Sequence, residues 1–184
     1  MDAAHTLRNE HETIKFALSV LDKVTKKILR NPDPISIDYL GELIEFFQVF
    51  TDKCHHGKEE GFLFPALMKK GIQKNDGPIG VLLDEHEKGR RYMQQLKTLI
   101  PLLRKADDTA IKQTDVLVMS YISLMGLHIE KEDAVFFPIA DKHLSSEEQA
   151  DLDHEFEKLE MEKIGAGRHE QFHQMLEKIG SRYI

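Results

Sequence analysis

The sequence predicts an all-α protein, built as an antiparallel up-down four-helix bundle with short C-terminal helices. Three observations carry this. Apolar residues recur with a period near 3.6, no segment alternates convincingly with period two, and the polar punctuation of the first half returns in the second. The first helix covers about 7–29, with Leu7, Ile14, Leu18, Leu21, Val24 and Ile28 on one stripe. Pro32 and Pro34 in "NPDPIS" end it, since neither can continue a helix interior. Ser36 is the expected cap of a second helix that carries Leu40, Leu43, Ile44, Phe47 and Phe50 inward. Pro65 should kink or end that helix. After the loop "KKGIQKNDGPIG" a third helix runs over about 78–105, with Pro101 bending its end. A fourth starts near Asp108 or Thr109 and reaches Pro138. In "LSSEEQADL", Ser146 and Gln149 stand at capping-box spacing, and a break at 165–167 precedes a last short helix. Residues 1–143 should therefore form the bundle, and 144–184 a helical extension packed on the same domain.

Composition narrows the function classes. A chain of 184 residues, 41% hydrophobic and 31% charged, can bury a full core as one domain. A net charge of −7 with no basic stripe argues against nucleic acid as a partner. No apolar run approaches the roughly 18–20 residues that cross a bilayer, so no membrane partner is expected. Cys54 is the single cysteine, which rules out an intrachain disulfide and fits a reducing compartment. The opening "MDAAHTLRNEHETI" lacks a charged segment followed by an apolar one, and cytoplasmic localisation is the expectation.

The repeat holds the chemistry. "LRNEHETIKFALSVLDKV" aligns with "LLDEHEKGRRYMQQLKTL" at an offset of 75, and "HHGKEEGFLFP" aligns with "HIEKEDAVFFP" at an offset of 73. Helices one and three correspond, as do two and four, under a pseudo-two-fold axis. The overlay isolates His11, His55, Glu59, His86, His128 and Glu132. Residues four apart on a helix differ by only about 40° in direction, so His55 shares a face with Glu59, and His128 with Glu132. Two carboxylates and four imidazoles in a dry core are prohibitive to bury without something to bind. Two metal ions resolve that, with carboxylates bridging and imidazoles terminal. His-plus-carboxylate ligation with open positions suits iron first and manganese next. One His-x-x-x-Glu pair alone would more often be a solvated ion pair; the duplicated set is what points to metal.

The order His … HHxxEExxLFP … His … HxxxEDxxFFP resembles the hemerythrin-like, or HHE cation-binding, family. The resemblance spans about 5–143, and the tail "FEKLEMEKIGAGRHEQFHQML" also looks like members of that family. It implies two iron ions, Fe2+ or Fe3+, bridged by oxo or hydroxo groups or by carboxylates, with manganese or a mixed pair as the alternative. It also implies His11, His55, Glu59, His86, His128 and Glu132 as ligands, with Glu59 and Glu132 bridging. The oxygen carriers of that family have a further histidine where this chain has Arg90, so the five-histidine set is incomplete unless His56 supplies the fifth. Their last carboxylate falls at Asp133 here, an alternative to Glu132, and Glu60 is a further candidate. The expected function is a non-haem di-iron protein that binds or reacts with O2, peroxide or nitric oxide in sensing or detoxification. Any turnover would be that of an oxidase- or peroxidase-like oxidoreductase. The alternatives are a reversible O2 carrier and an iron- or oxygen-dependent regulatory domain. No motif identifies an electron donor, and a monomer or weak homodimer is expected.

Other residues have plainer readings. Glu10, Glu12, Glu85 and Glu87 flank the candidate ligands; partnering an imidazole N–H is one reading, and exposed helix charge is the expectation for most. Arg90 could pair with a carboxylate near the centre. Cys54 reads as buried filler. His169 and His173 stand at chelating spacing without a third ligand, which suggests solvated rings or an inter-helix hydrogen bond. Met119, Met125 and Met161 read as core.

Overall fold

Acidic side chains start the first two helices. In this computed structural model, which describes residues 2–75, 77–163, 165 and 167–183, Asp2 accepts from the His5 N–H at 2.8 Å. Helix α1 (Ala3–Arg30) therefore begins about one turn before its apolar stripe. Asp33, not Ser36, caps α2 (Pro34–Phe46), accepting from the Ser36 N–H at 3.0 Å. Pro34 explains the shift: at the first helical position its missing N–H costs nothing and its φ is already helical. Ser36 donates its own hydroxyl back to Asp33 at 2.7 Å.

Pro65 does not end the second rod. Helix α2 passes through wide π-helical turns at Phe47–His56 and Glu59–Leu63 into α3 (Phe64–Lys69). After α4 (Pro78–Leu103), whose last turn contains Pro101, the fourth rod repeats the device. Helix α5 (Asp108–Lys131) widens at Glu132–Phe136 and continues as α6 (Phe137–His143), through Pro138. Proline has no N–H to give and its ring crowds the carbonyl four residues back. An i→i+5 turn just before it relieves that clash, so the rod runs on.

The four rods close a ring: α1 packs on α2 and α5, and α4 on α2 and α5. Every described element is helical, and no helix among the described residues is long and apolar enough to cross a membrane. Two apolar clusters fill the bundle. The larger holds Ile14, Leu21, Phe46, Phe47, Phe50 and Met125; the smaller holds Leu7, Phe64, Leu82, Phe136 and Phe137. The predicted histidines and glutamates lie in the turns between these two sets.

The extension joins the same core. Helix α7 (Ser146–Lys163) starts at a capping box one residue earlier than expected: Ser145 N–H donates to Glu148 at 2.8 Å, and Glu148 N–H to Ser145 Oγ at 3.2 Å. Phe156 of α7 joins the smaller cluster, while Phe172, Leu176 and Ile179 of α8 (Arg168–Tyr183) join the larger. Within the expected break, 164 and 166 lie outside the described residues. Gly165 and Gly167 hold φ of +88° and +78°, which glycine adopts without strain. Of the three methionines read as core, Met125 is buried, whereas Met119 and Met161 are 49% and 64% exposed.

Candidate metal centre

Four rods each contribute to one buried layer. It contains His11 from α1, His55 and Glu59 from the second rod, His86 from α4, and His128 and Glu132 from the fourth, each 1% exposed or less. Their donor atoms form two groups. One is His11, His55 and Glu132; the other is His86, His128 and Glu59 with His56; within each, the donor atoms lie within 4.8 Å of one another. Each carboxylate spans both groups. Glu132 places one oxygen 3.2 Å from His11 Nε2 and the other 3.3 Å from His128 Nε2. Glu59 places one 3.9 Å from His55 Nε2 and the other 3.4 Å from His86 Nε2.

The far side of each ring is held by a carboxylate. His11 Nδ1 meets Asp133 at 2.8 Å, His55 Nδ1 meets Glu10 at 2.9 Å, His86 Nδ1 meets Glu60 at 2.7 Å, and His128 Nδ1 meets Glu85 at 2.9 Å. Asp133 and Glu60 therefore stand behind imidazoles, outside both donor groups. Glu10 and Glu85, expected mostly as exposed charges, belong to the same layer. Each carboxylate is held in turn by a cation: Lys15 on Asp133, Arg90 on Glu60, Lys58 on Glu10 and Lys131 on Glu85. The offsets of 75 and 73 carry these outer residues onto one another as they carry the inner six.

The donor set fits a cation. With each Nδ1–H given to a carboxylate, a neutral ring turns the lone pair of Nε2 inward. The two inward nitrogens of His11 and His55 stand 3.1 Å apart, and those of His86 and His128 3.2 Å. Lone pairs so close repel unless a positive centre lies between or beside them. All four oxygens of Glu59 and Glu132 are buried without a hydrogen bond, a costly state for any carboxylate. Electrostatics say the same. Burial raises Glu59, but the positive charge that the neighbouring His55 and His86 can carry outweighs it and holds the group at about 2. Glu132 is driven well above the carboxylate range by burial and then by Glu59. Burial and the neighbouring His55 lower His11 to about 4. Without a cation, one carboxylate must keep its proton.

His56 breaks the pseudo-symmetry, because the repeat aligns it with Ile129. Its ring is 3% exposed and stacks on His86 with centroids 3.8 Å apart and planes 11° from parallel. Neither of its nitrogens has a hydrogen-bond partner. A cavity of about 410 Å³ reaches it from the surface, floored by Phe47, Tyr121 and Met93 and edged by Asp52 and Arg90. Arg90 joins that rim to the layer, donating to Asp52 at 2.7 Å and to Glu60 at 2.6 Å.

A second cluster of metal-type side chains lies on the tail side, where Glu10, Cys54, Glu160 and His169 converge. Lys58 already supplies its cation, bonded to Glu10 and to Glu160 at 3.2 Å. Cys54 is buried filler whose thiol is pushed up to about 12 by burial and by Glu10. His169 rests on the Phe50 ring at 4.7 Å with Nε2 3.5 Å from Glu160, and its centroid is 6.4 Å from that of His173. The sequence marked His169 and His173 by their i, i+4 spacing, whereas Glu160 and Lys58 carried no such signal.

No curated protein matches the chain. Residues 2–140 match the family described as "Hemerythrin HHE cation binding domain". With four rods, a duplicated His–Glu layer and a match over three quarters of its length, the chain belongs to the hemerythrin HHE cation-binding family.

Proposed function

We propose that the protein is a non-haem di-iron protein that binds or reacts with O2, peroxide or nitric oxide, in sensing or detoxification. The observation that supports this is the pair of donor groups joined through Glu59 and Glu132, with a cavity reaching His56 on one side. His11 and His55 would hold one ion, His86 and His128 the other, and both carboxylates would serve the two. His56 would add a third imidazole to the second ion. Iron bound by imidazole and carboxylate supplies one-electron exchange and coordination sites for a small oxidant. The remaining roles fall to the chain. Asp133, Glu10, Glu60 and Glu85 keep the ligand rings in one tautomer. Phe64, Phe136 and Phe137 keep water from one side of the layer, and the Asp52–Arg90 pair edges the route past His56. His56 also supports a second reading: five imidazoles would restore the number that reversible O2 carriage uses in this family.

Metal content and optical spectrum decide between these, on protein purified without oxygen and then exposed to air. Di-iron loading with rapid, irreversible oxidation is the expected result. A visible band that bleaches under vacuum would favour carriage. Absence of iron after reconstitution, with His86→Ala indistinguishable from wild type, would end both readings.

A further inference from the structure

Helix α5 is apolar on two faces. Its inner face carries Val118, Tyr121, Met125 and Ile129 into the core. Its outer face leaves Val116, Met119 and Leu127 64%, 49% and 57% exposed. Between residues 116 and 129 there is no Asp, Glu, Lys or Arg. A helix with solvent along one side normally carries charge there, and one that is apolar all round is normally covered.

The placement of the flanking charges indicates what would cover this face. At about 100° per residue, Val116, Ser120, Ser123 and Leu127 lie within about 40° of one line. The exposed charges nearest that line, Lys112 before it and Glu130 after it, fall about 40° to the same side. A second α5 laid antiparallel across the first, centred near residue 121, brings Val116 against Leu127 and Ser120 against Ser123. It also brings Lys112 against Glu130 of the other copy, twice. A two-fold axis perpendicular to both helices keeps those charges on one side of the contact, so the pairing is isologous and closes. Grooves of about 470 Å³ beside Val116 and about 430 Å³ beside Glu130 flank the ridge. They offer the hollows that ridge-into-groove packing requires.

We propose that this face is the contact of a two-fold homodimer, held by the apolar ridge of α5 and oriented by reciprocal Lys112–Glu130 pairs. The ridge is a single helix, and its interface falls at the small end of specific contacts, so the dimer is a micromolar one. It lies outside the donor layer and does not depend on the metal reading.

Sedimentation equilibrium of the full chain from about 1 to 300 μM tests it, spanning the affinity such a contact supports. A reversible monomer–dimer equilibrium is expected, abolished by Val116→Glu with helicity and melting temperature retained. Lys112→Glu alone and Glu130→Lys alone should each raise the dissociation constant about tenfold by opposing like charges. An equimolar mixture of those two variants should return to within about threefold of wild type, because both ion pairs reform in the heterodimer. A wild type that stays monomeric throughout overturns the proposal. So does a dimer indifferent to Val116→Glu, or single reversals whose mixture is no tighter than either alone.

Discussion

Each imidazole of the layer has its proton directed outward by a carboxylate on a neighbouring rod. Glu85→Gln removes one such acceptor and can offer an amide N–H to His128 Nδ1, which favours the wrong tautomer. Affinity for ferrous iron, measured by competition with a coloured chelator, should fall about 10–100-fold with helicity unchanged. An unchanged affinity would reduce Glu85 to a partner of Lys131 alone. Cys54 gives a second expectation. Its thiol is raised to about 12 by burial and by Glu10, and only the thiolate reacts. A thiol reagent at pH 8 should leave the native chain unlabelled and label it fully in guanidinium; rapid native labelling would mean that the tail opens readily. The inner six residues were legible because repetition separates them from chance His–Glu pairs. Glu10 and Glu85 were harder to place because a carboxylate beside a histidine looks the same on a surface helix. Their offset of 75 was the available signal, together with the 73 that links Glu60 to Asp133. His56 was open because its consecutive position says nothing of which group it meets; only the wide turn around Phe47–His56 brings it to His86.

At the scale of elements, the apolar stripe of period 3.6 located all four rods, yet it carries no information on π-helical turns. Those at Glu59–Leu63 and Glu132–Phe136 arise where Pro65 and Pro138 would otherwise strike the preceding turn, and this is why a break was expected where a continuous rod stands. The caps slipped by one to three residues for a related reason. Asp33 and Ser145 compete with neighbours of equal capping ability, and Pro34 or Glu148 decides the outcome. The tail helix was readable as a helix but not as a layer of the core. Phe172 is 4% exposed and stands edge-on to Phe46 with centroids 5.4 Å apart. Phe172→Ala should cost about 3–5 kcal/mol in denaturant unfolding. Hydrogen exchange should speed first in α8, while the Glu59 and Glu132 turns stay protected. Uniform loosening of all rods would instead make α8 part of a single cooperative unit.

For the whole molecule, the same buried layer that supports cation binding sets how stability depends on pH once the cation is chelated away. His11 has a folded value near 4 against about 6.5 unfolded. The unfolded chain binds that proton more readily, so stability falls as pH drops from 6.5 toward 4. Glu132 works from the other side. Its folded value lies well above that of an ordinary carboxylate because of burial and Glu59. The folded chain holds the proton, and the resulting stability is lost as pH rises through that folded value. Glu59, held at about 2, contributes stability that disappears only in strong acid. The chelated protein should therefore have a narrow stability maximum, while the loaded protein, whose two carboxylates face a cation, should lose the alkaline limit. Melting temperature with and without chelator should show a gap that widens as pH rises. Metal titration should release protons, since Glu132 must ionise to ligate, and calorimetry in buffers of differing ionisation enthalpy reads that release directly. A gap that narrows with pH, or binding without proton release, would mean that Glu132 is not a ligand. The cation would then rest on the imidazoles and Glu59 alone.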